Sequence, residues 1–417
     1  MLPFIYSQLI RIALPFIMIR LWWRGRNVPA RRKNWLHRLG IVPEMSGPVI
    51  WVHAVSVGET IAAAPMVRRL LARNPDVAIL MTAMTDTGLA QARKMFGDRV
   101  AYAYAPYDTP GAIRRFLDRV NPRILVILET EIWPNMIGQC RQRNVPVFLI
   151  NARLSERSAR GYERVGKLLA PIMQSITWVA AQAERDAERF RRIGVATSHV
   201  EVTGSVKFDV DMPEDVREAS ASLRQQFGRR PVWIAGSTHS GEDVQLLEAQ
   251  RCVLECHPTA LLVLVPRHPE RFDSVSEMAT SKGFKVVRRS SGQNPETAQV
   301  YVGDTMGELM MLYGASDIAF VGGSLVARGG HNPLEPAAWG IPVFSGPHVF
   351  NFETIYEHLE CDHGAQRVQS SQELAQAVSH LISNPKERLA FGQRAQVVVS
   401  KNRGALDKVV EGIIERL

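Results

Sequence analysis

Short apolar runs alternate with helical patterns along most of this chain, and no other feature constrains its fold as strongly. Seven runs rich in β-branched residues precede Gly204: Val49–His53, Val77–Thr82, Ala101–Ala105, Ile124–Leu128, Val147–Ile150, Trp178–Ala181 and Val200–Val202. Helical patterns such as Thr60–Ala72, Gly111–Val120 and Ala183–Arg192 separate them. Because buried strands joined by crossover helices form parallel sheets, this half is predicted to be a doubly wound α/β domain.

The same alternation starts again after Gly204. The segment Lys207–Pro231 is polar and is interpreted as a linker. Six further runs follow it: Val232–Ala235, Leu261–Val265, Lys285–Val287, Val300–Val302, Ile318–Val321 and Pro342–Phe344. We therefore predict two Rossmann-like α/β domains, over residues 31–205 and 206–400, that face a central cleft. A final helix is predicted at 401–417. Whether it crosses back onto the first domain is left open by the sequence. Ligands of such sheets bind beyond the carboxyl ends of the strands.

The N-terminal segment carries most of the charge imbalance. The formal net charge is +9, and the first 43 residues contain eight Lys and Arg but no Asp or Glu, which leaves +1 for the other 374. Residues 1–23 are apolar but are interrupted by Arg11 and Arg20, and they end in Trp22 and Trp23 beside an arginine-rich flank. This order is typical of a helix at a membrane interface with its basic flank on the cytoplasmic side.

Residues 1–30 are therefore predicted to anchor the chain at the cytoplasmic face of the inner membrane, either across the bilayer or in its plane. The alternative is an apolar helix packed against the body of the protein. A nucleic-acid partner is not favoured, because the rest of the chain is nearly neutral. Four cysteines in 417 residues do not form a disulfide framework, which favours a reducing compartment.

Carboxylates follow two of the predicted strands in the first half. Gly58 is expected to make a tight turn after the first strand, and Glu59 to lie in the first turn of the next helix. There Glu59 is either a carboxylate that stabilises the helix start or a general base. Ser56 and Gly58 are candidate contacts of a sugar or phosphate. Glu129 and Glu131 follow the fourth strand, where paired acids raise each other's pKa, bind a metal or hydrogen-bond a sugar.

Glycine-rich and basic turns follow several strands of the second half. In Gly236–His239 a strand is predicted to end where a helix opens, so that backbone N–H groups and hydroxyls bind a phosphate. The candidate phosphate or sugar contacts in this half are Ser237, Thr238, Arg267, His268, Gly322 and Gly323. Together they predict a nucleotide-binding domain of neither the G-x-G-x-x-G nor the P-loop type. Asp209 and Asp211 have DxD spacing but lie in the linker, so no metal site is predicted.

Six motifs follow one another in the order HAVSVGE, ETEIWPN, TGSVKFD, PRHPERF, GDTMGEL and GGHNPLEPAAWG. With them, the chain closely resembles the 3-deoxy-D-manno-octulosonic acid (Kdo) transferases of lipopolysaccharide biosynthesis, from the N-terminus to about residue 400. The resemblance implies a two-domain GT-B glycosyltransferase that uses no metal and no cofactor. It also implies that Kdo is transferred with inversion from CMP-Kdo to a lipid A precursor (lipid IVA) at the cytoplasmic face of the inner membrane.

The resemblance assigns roles to individual residues. Glu59 matches the general base, and Glu129 and Lys207 match residues that support the transition state. The segments that match the family's CMP-binding residues contain Pro266, Arg267, His268, Met306, Gly307, Glu308, Asn332, Pro333, Leu334 and Glu335. Ser205 and Val206 stand where many members have asparagine and leucine, but the lysine that follows is retained.

Two other functions stay open from the residues alone. A UDP-sugar-dependent GT-B transferase or nucleotide-sugar epimerase would share both halves and the turn that carries both glycines and a glutamate. Thermal shifts measured with CMP and with UDP would distinguish these enzymes, because a ligand that binds the native state raises the unfolding midpoint. A membrane-bound scaffold with degenerate Rossmann-like halves would bind no nucleotide, and loss of Glu59 would not affect it. The ordered motifs argue against the scaffold.

Overall fold

The computed structural model describes residues 2–24, 34–210 and 212–417. The chain divides into two compact units, Met1–Lys207 with Arg403–Leu417, and Phe208–Asn402. Each unit contains one seven-stranded sheet, and neighbouring strands in both sheets are parallel. The predicted α/β class with two parallel sheets is therefore confirmed.

The first unit is a sheet with apolar layers on both faces. Its strands are β1 (Val49–His53), β2 (Ala78–Ala83), β3 (Ala101–Tyr104), β4 (Pro122–Leu128), β5 (Val147–Ala152), β6 (Trp178–Ala181) and β7 (Val200–Val202), in the spatial order β3-β2-β1-β4-β5-β6-β7. Its first eight helices are α1 (Leu2–Arg24), α2 (Val57–Arg73), α3 (Asp86–Phe96), α4 (Pro110–Val120), α5 (Pro134–Gln142), α6 (Glu156–Arg164), α7 (Gly166–Met173) and α8 (Glu184–Arg192). Along β1, Val49 and Trp51 pack on one face, and Ile50 and Val52 on the other.

The second unit repeats this plan. Its strands are β8 (Val232–Thr238), β9 (Leu261–Pro266), β10 (Val286–Arg288), β11 (Val300–Val302), β12 (Ile318–Val321), β13 (Val343–Ser345) and β14 (Ala365–Arg367), in the spatial order β10-β11-β9-β8-β12-β13-β14. Its helices are α9 (Glu214–Phe227), α10 (Asp243–Cys256), α11 (Phe272–Ser281), α12 (Leu309–Gly314), α13 (Leu334–Ala338), α14 (Glu353–Cys361), α15 (Ser371–Ser383) and α16 (Pro385–Lys401).

Both sheets reverse their direction of winding at one pair of strands. In the first sheet β2 and β3 lie on one side of β1, and β4 to β7 lie on the other. In the second sheet β9 to β11 lie on one side of β8, and β12 to β14 lie on the other. At such a switch point the connections leave in opposite directions, which opens a crevice at the carboxyl ends of the two strands. Ligand sites are therefore expected beyond β1 and β4, and beyond β8 and β12.

The thirteen predicted strands all correspond to observed ones, but two predicted turns are wrong. β8 continues to Thr238 and α10 begins at Asp243, so Gly236–His239 does not open a helix. A Cβ at Gly236 would lie 2.2 Å from the Tyr313 hydroxyl, so this glycine makes room for a buried ring rather than a turn. Helix α2 already begins at Val57, so Gly58 lies inside the helix and does not form the turn before it.

Three further elements differ from the sequence-based prediction. The segment interpreted as a linker contains helix α9, whose buried residues include Leu223 and Phe227. The helix expected over Met306–Tyr313 is limited to α12, and Gly307 before it has a φ of +89°. Strand β14 was not predicted, since three edge residues provide too little pattern to detect.

The last helix, α17 (Ala405–Ile414), packs against the first unit. Val409, Val410 and Ile413 are buried in the apolar layer that includes Ile50 and Val52 of β1. A Cβ added to Gly412 of α17 would lie 2.4 Å from the indole ring of Trp178, so this glycine permits close contact with β6. The end of the chain thus completes one core layer of the first unit.

Helix α1 is attached to the first unit by buried polar contacts. Ser7 donates a hydrogen bond of 2.8 Å to Asn135 Oδ1, and the Tyr6 hydroxyl donates to Asp108. The Asp108 carboxylate also accepts the N–H groups of Asn135 and Met136, at 3.0 and 2.7 Å, at the start of α5. Burial raises the pKa of Asp108 to about 6. No helix in the described part of the chain has the length and apolar character needed to cross a membrane.

Candidate functional site

Glu59 lies at the switch point of the first sheet, in the first turn of α2. Its backbone N–H donates to the Ser56 hydroxyl at 3.3 Å, and this hydroxyl donates to Glu59 Oε1 at 2.9 Å. Glu59 Oε2 accepts the Val55 N–H at 2.8 Å. These bonds cap the helix, as a serine and a glutamate three residues apart commonly do. Burial raises the pKa of Glu59, and the negative charges of Glu129 and Glu131 raise it further, although its hydrogen bonds oppose this.

Glu129 follows β4 on the other side of the switch point. It has a φ of +57°, which is strained for a residue with a side chain. Its N–H donates to the Ile150 carbonyl at 2.9 Å, and its Oε1 lies 3.4 Å from Lys207 Nζ. About a third of each partner's side chain is exposed, so the ion pair is accessible to a ligand. The structure thus brings together Glu59, Glu129 and Lys207, which lie far apart in the sequence.

Asn151 was not identified from the sequence. It is buried at the end of β5 with a φ of +54°. Its Oδ1 accepts hydrogen bonds from the Ser205 hydroxyl at 3.2 Å and from the Val206 N–H at 3.3 Å. Asn151 therefore positions the segment that carries Lys207. An asparagine that directly follows an apolar strand was the available signal.

Two other polar residues of this region have structural contacts. Glu131 accepts a hydrogen bond of 2.8 Å from Trp133 Nε1, and burial raises its pKa. His53 is buried within β1, where its Nδ1 lies 3.0 Å from the Thr82 hydroxyl. Burial lowers the pKa of His53 to about 4, so the ring is neutral near pH 7.

The segment after β8 makes internal contacts. The Thr238 hydroxyl donates to Asp243 Oδ1 at 2.6 Å, and the Thr238 carbonyl accepts from Arg271 at 2.8 Å. Arg271 also forms an ion pair with Asp243. Ser237 is buried with a φ of +59°. The Thr238 hydroxyl, predicted to contact a sugar or phosphate, is thus held by a carboxylate of α10.

The glycine-rich turn after β12 encloses a carboxylate of the protein itself. Glu242, directly before α10, is fully buried, and its two oxygens accept four backbone N–H groups. These donors belong to His239, Gly323, Ser324 and Leu325, at 3.1, 2.7, 3.0 and 2.9 Å. Burial raises the pKa of Glu242, and the four N–H groups oppose this. The Gly323 N–H, expected to bind phosphate, therefore donates to Glu242. The sequence analysis did not identify Glu242 as a partner of this turn.

The other predicted donor-binding residues lie at strand ends of the second sheet. Arg267 and His268 are exposed directly after β9, beyond the buried Pro266. Asn332 Oδ1 accepts the Leu334 N–H at 3.1 Å, and Asn332 Nδ2 donates to Glu335 at 3.3 Å. Burial raises the pKa of Glu335, whereas Asn332 and the charge of Arg267 lower it, which places Arg267 close to this carboxylate. Pro333 and Leu334 are buried, as is the turn glycine Gly322.

Glu308 lies in a separate ion pair before α12. Arg289 donates to both of its carboxylate oxygens at 3.0 Å, and this bidentate contact lowers the pKa of Glu308. Met306 is 54% exposed beside it, and Gly307 has the positive φ noted above. The carboxylate is therefore ionised and fixed, and the exposed methionine is free to contact a ligand.

The described residues provide no evident metal site. Across 2–24, 34–210 and 212–417, no three His, Cys, Asp or Glu side chains are grouped so as to hold an ion. Asp209 belongs to these ranges, whereas Asp211 lies outside the described residues.

Sequence comparisons place the chain among known proteins. A family profile described as 3-Deoxy-D-manno-octulosonic-acid transferase (kdotransferase) matches residues 33–210. The chain is 40% identical to a 3-deoxy-D-manno-octulosonic acid transferase of Haemophilus influenzae, over 98% of this chain and 97% of that protein. It is 35% identical to the transferase of the same description from Bordetella pertussis, over 98% of both chains.

Among solved structures, UDP-GlcNAc 2-epimerase from Neisseria meningitidis, bound to UDP-GlcNAc, matches with a TM-score of 0.55. The identity is 16%, and the match covers 88% of this chain and 100% of that one. At this identity the likeness concerns the fold alone.

We predict that Glu242→Gln destabilises the second unit. The amide keeps one acceptor oxygen, so its NH₂ group would face two backbone N–H donors inside the core. Leaving buried donors unsatisfied costs about 1–3 kcal/mol. Urea unfolding should therefore show a lower midpoint. The control is Glu248→Gln, at an exposed position of α10, which should change stability by less than about 0.5 kcal/mol. Equal midpoints for the two variants would contradict this role of Glu242.

Proposed function

The chain belongs to the 3-deoxy-D-manno-octulosonic acid (Kdo) transferases, a family of glycosyltransferases, and from this membership we propose that it transfers Kdo from CMP-Kdo to a lipid A precursor in lipopolysaccharide biosynthesis, with Glu59 as the general base. The observation that carries this proposal is the cluster at the first switch point. There a buried carboxylate with a raised pKa lies near the Glu129–Lys207 ion pair. Mass spectrometry of the products formed from CMP-Kdo and lipid IVA tests the activity directly.

The contacts of Glu59 leave it able to accept a proton. Each of its oxygens accepts one hydrogen bond in the helix cap, and a carboxylate oxygen has two lone pairs. One lone pair on each oxygen is thus available to the hydroxyl of the acceptor. Because its pKa is raised, Glu59 is a better base than an exposed glutamate, and activity should fall on acidification at a pH above the usual range for glutamate.

Cationic side chains match the charges of the proposed donor. Lys207 is suited to the carboxylate of Kdo or to charge that develops during transfer, and Glu129 holds its ammonium group in place. The leaving CMP is a phosphate monoester, which needs positive charge rather than a general acid. Because Glu242 occupies the N–H groups of the glycine-rich turn, this charge comes from Arg267 and its neighbours.

We predict that Glu59→Gln lowers turnover by about 10²–10⁴-fold, the usual contribution of a general base. CMP binding should change little, because the nucleotide site is assigned to the second unit. A stability control is Thr85→Ala, which removes the hydroxyl that caps α3 through the Gly88 N–H at 3.1 Å. This control should lose about 1 kcal/mol of stability and keep its turnover. Near-normal turnover in the folded Glu59→Gln variant would contradict the assignment of Glu59 as the general base. Glu129 would then be the next candidate.

We also predict that turnover persists in EDTA, because the phosphate charge can be met by arginine side chains without a metal ion. The measurement compares initial rates before and after dialysis against the chelator. Loss of activity that magnesium restores would overturn this proposal and return attention to Asp209 and Asp211.

The exposed face of α1 supports a location at the membrane. Five apolar residues of this helix are 62–71% exposed: Leu9, Ile12, Phe16, Ile19 and Trp23. Their steps of three and four residues place them along one face, opposite the buried Ser7 that binds Asn135. Arg11 and Arg20 are exposed as well and suit anionic headgroups. This arrangement supports an in-plane helix at the cytoplasmic face of the inner membrane, where the acylated acceptor lies.

We predict that Ile12→Ser with Phe16→Ser weakens binding to phosphatidylglycerol vesicles by at least about tenfold, because a buried apolar side chain contributes about 1.5–3 kcal/mol. Co-sedimentation measures the bound fraction. The control is Leu389→Ser on α16, which removes a leucine that is 60% exposed in the second unit and should leave vesicle binding unchanged. Equal losses in both variants would show that α1 is not the membrane contact.

A further inference from the structure

Two histidines meet at the switch point of the second sheet. His239 follows β8, and His331 lies between β12 and α13. Their Nε2 atoms are 2.9 Å apart, and their ring planes differ by 3°. The ring centroids are 5.1 Å apart. This distance exceeds the separation of the two Nε2 atoms by about the width of one imidazole ring. The rings therefore point their Nε2 atoms at each other, which is the geometry of an N–H···N hydrogen bond.

This contact limits the charge of the imidazole pair, His239 with His331. A hydrogen bond between two nitrogens needs a proton on one and a lone pair on the other. The two rings therefore cannot both be imidazolium while the contact lasts. The pair is either neutral or carries a single positive charge, whichever ring donates.

The surroundings of the pair favour its neutral form when no ligand is bound. The His268 ring lies edge-on to His239, at 5.3 Å between centroids. Burial lowers the pKa of both rings to about 4, and the positive charges of the adjacent groups add to this effect. These groups are Arg267, His268 and Arg271 beyond β9, and Arg328 in the loop after β12. Arg271 is neutralised by its ion pair with Asp243, whereas Arg267 and Arg328 are exposed.

The turn beside the pair leaves room for both rings. Gly323 has a φ of +72°, and a Cβ there would lie 3.1 Å from the His331 ring and 3.3 Å from the His239 ring. The buried carboxylate of Glu242 accepts the N–H groups of both His239 and Gly323. Glu242 therefore fixes the backbone that carries His239 beside Gly323, at the place where an α/β sheet binds its ligand.

We propose that the imidazole pair takes up one proton when the phosphate of a nucleoside monophosphate binds at this switch point. A phosphate monoester is a dianion above its second pKa, and it stabilises a cation beside it more than the monoanionic diester of a nucleotide sugar does. When the product nucleotide is present, the positive charge of the protonated pair thereby adds to that of the arginines. Product release becomes slower as the pH falls. The identity of the nucleotide, CMP, rests on the proposed function, whereas the proton uptake does not.

The test is titration calorimetry of the full chain with CMP at pH 6.5, in buffers with different enthalpies of ionisation, which counts the protons taken up. The wild type should take up close to one proton more than His239→Asn and His331→Asn. Above the second pKa of the nucleotide phosphate, the affinity of the wild type should also rise as the pH falls, by up to about tenfold per pH unit while one proton is coupled. Titration of the free nucleotide is the same for every variant and cancels in the comparison.

The control is His380→Asn, an exposed histidine of α15 that pairs with Glu387 and should take up protons as the wild type does. Cytidine, which lacks the phosphate, should cause no uptake. Equal uptake in the wild type and in both folded asparagine variants would overturn the proposal. Preferred binding of UMP with pair-dependent uptake would keep it and reject CMP as the nucleotide. Absence of binding by CMP and UMP would reject both proposals.

Discussion

The reversal of winding at the centre of each parallel sheet is the constraint on which the rest of this structure depends. Parallel strands direct all their carboxyl ends to one edge, and a switch point leaves a crevice there. In the first unit this brings Glu59, after β1, near Glu129, after β4. In the second unit it brings His239, after β8, into contact with His331, beyond β12. In both units, side chains from distant parts of the chain meet because the two central strands are neighbours.

Buried carboxylates organise the backbone around these crevices. Asp108 accepts two N–H groups at the start of α5, Glu59 completes the cap of α2, and Glu242 accepts four N–H groups around the glycine-rich turn. Burial raises the pKa of each, while the hydrogen bonds favour the ionised form. A turn that already encloses a carboxylate cannot offer the same N–H groups to a phosphate. In the proposed function, the negative charge of the nucleotide is therefore assigned to side chains such as Arg267.

The contacts of Glu59 are compatible with both interpretations of its position. The sequence left open whether it stabilises a helix start or acts as a base. Its contacts with Val55 and Ser56 are those of a helix cap, and each oxygen keeps a lone pair for a further donor. The cap fixes the carboxylate in one orientation, which is a property that a general base also needs. The two roles are therefore compatible.

The sequence alone determined the two parallel sheets, since the periodicity of buried strands and amphipathic helices depends on residues that are neighbours in the sequence. Motifs that resemble a known family also predicted site roles for Glu59, Glu129 and Lys207. Only the tertiary structure decided which side chains meet. Lys207 and Glu129 are 78 positions apart, and His239 and His331 are 92 apart.

Two interpretations of glycine residues missed contacts of the same kind. Gly236 was interpreted as a turn residue, although the ring of Tyr313 is what requires a glycine there. The glycine-rich turn was interpreted as a phosphate site, although Glu242, from before another helix, fills it. A local pattern reports the backbone that a segment prefers. It does not report which distant group occupies the space beside that backbone, because the packing of the whole unit determines that contact.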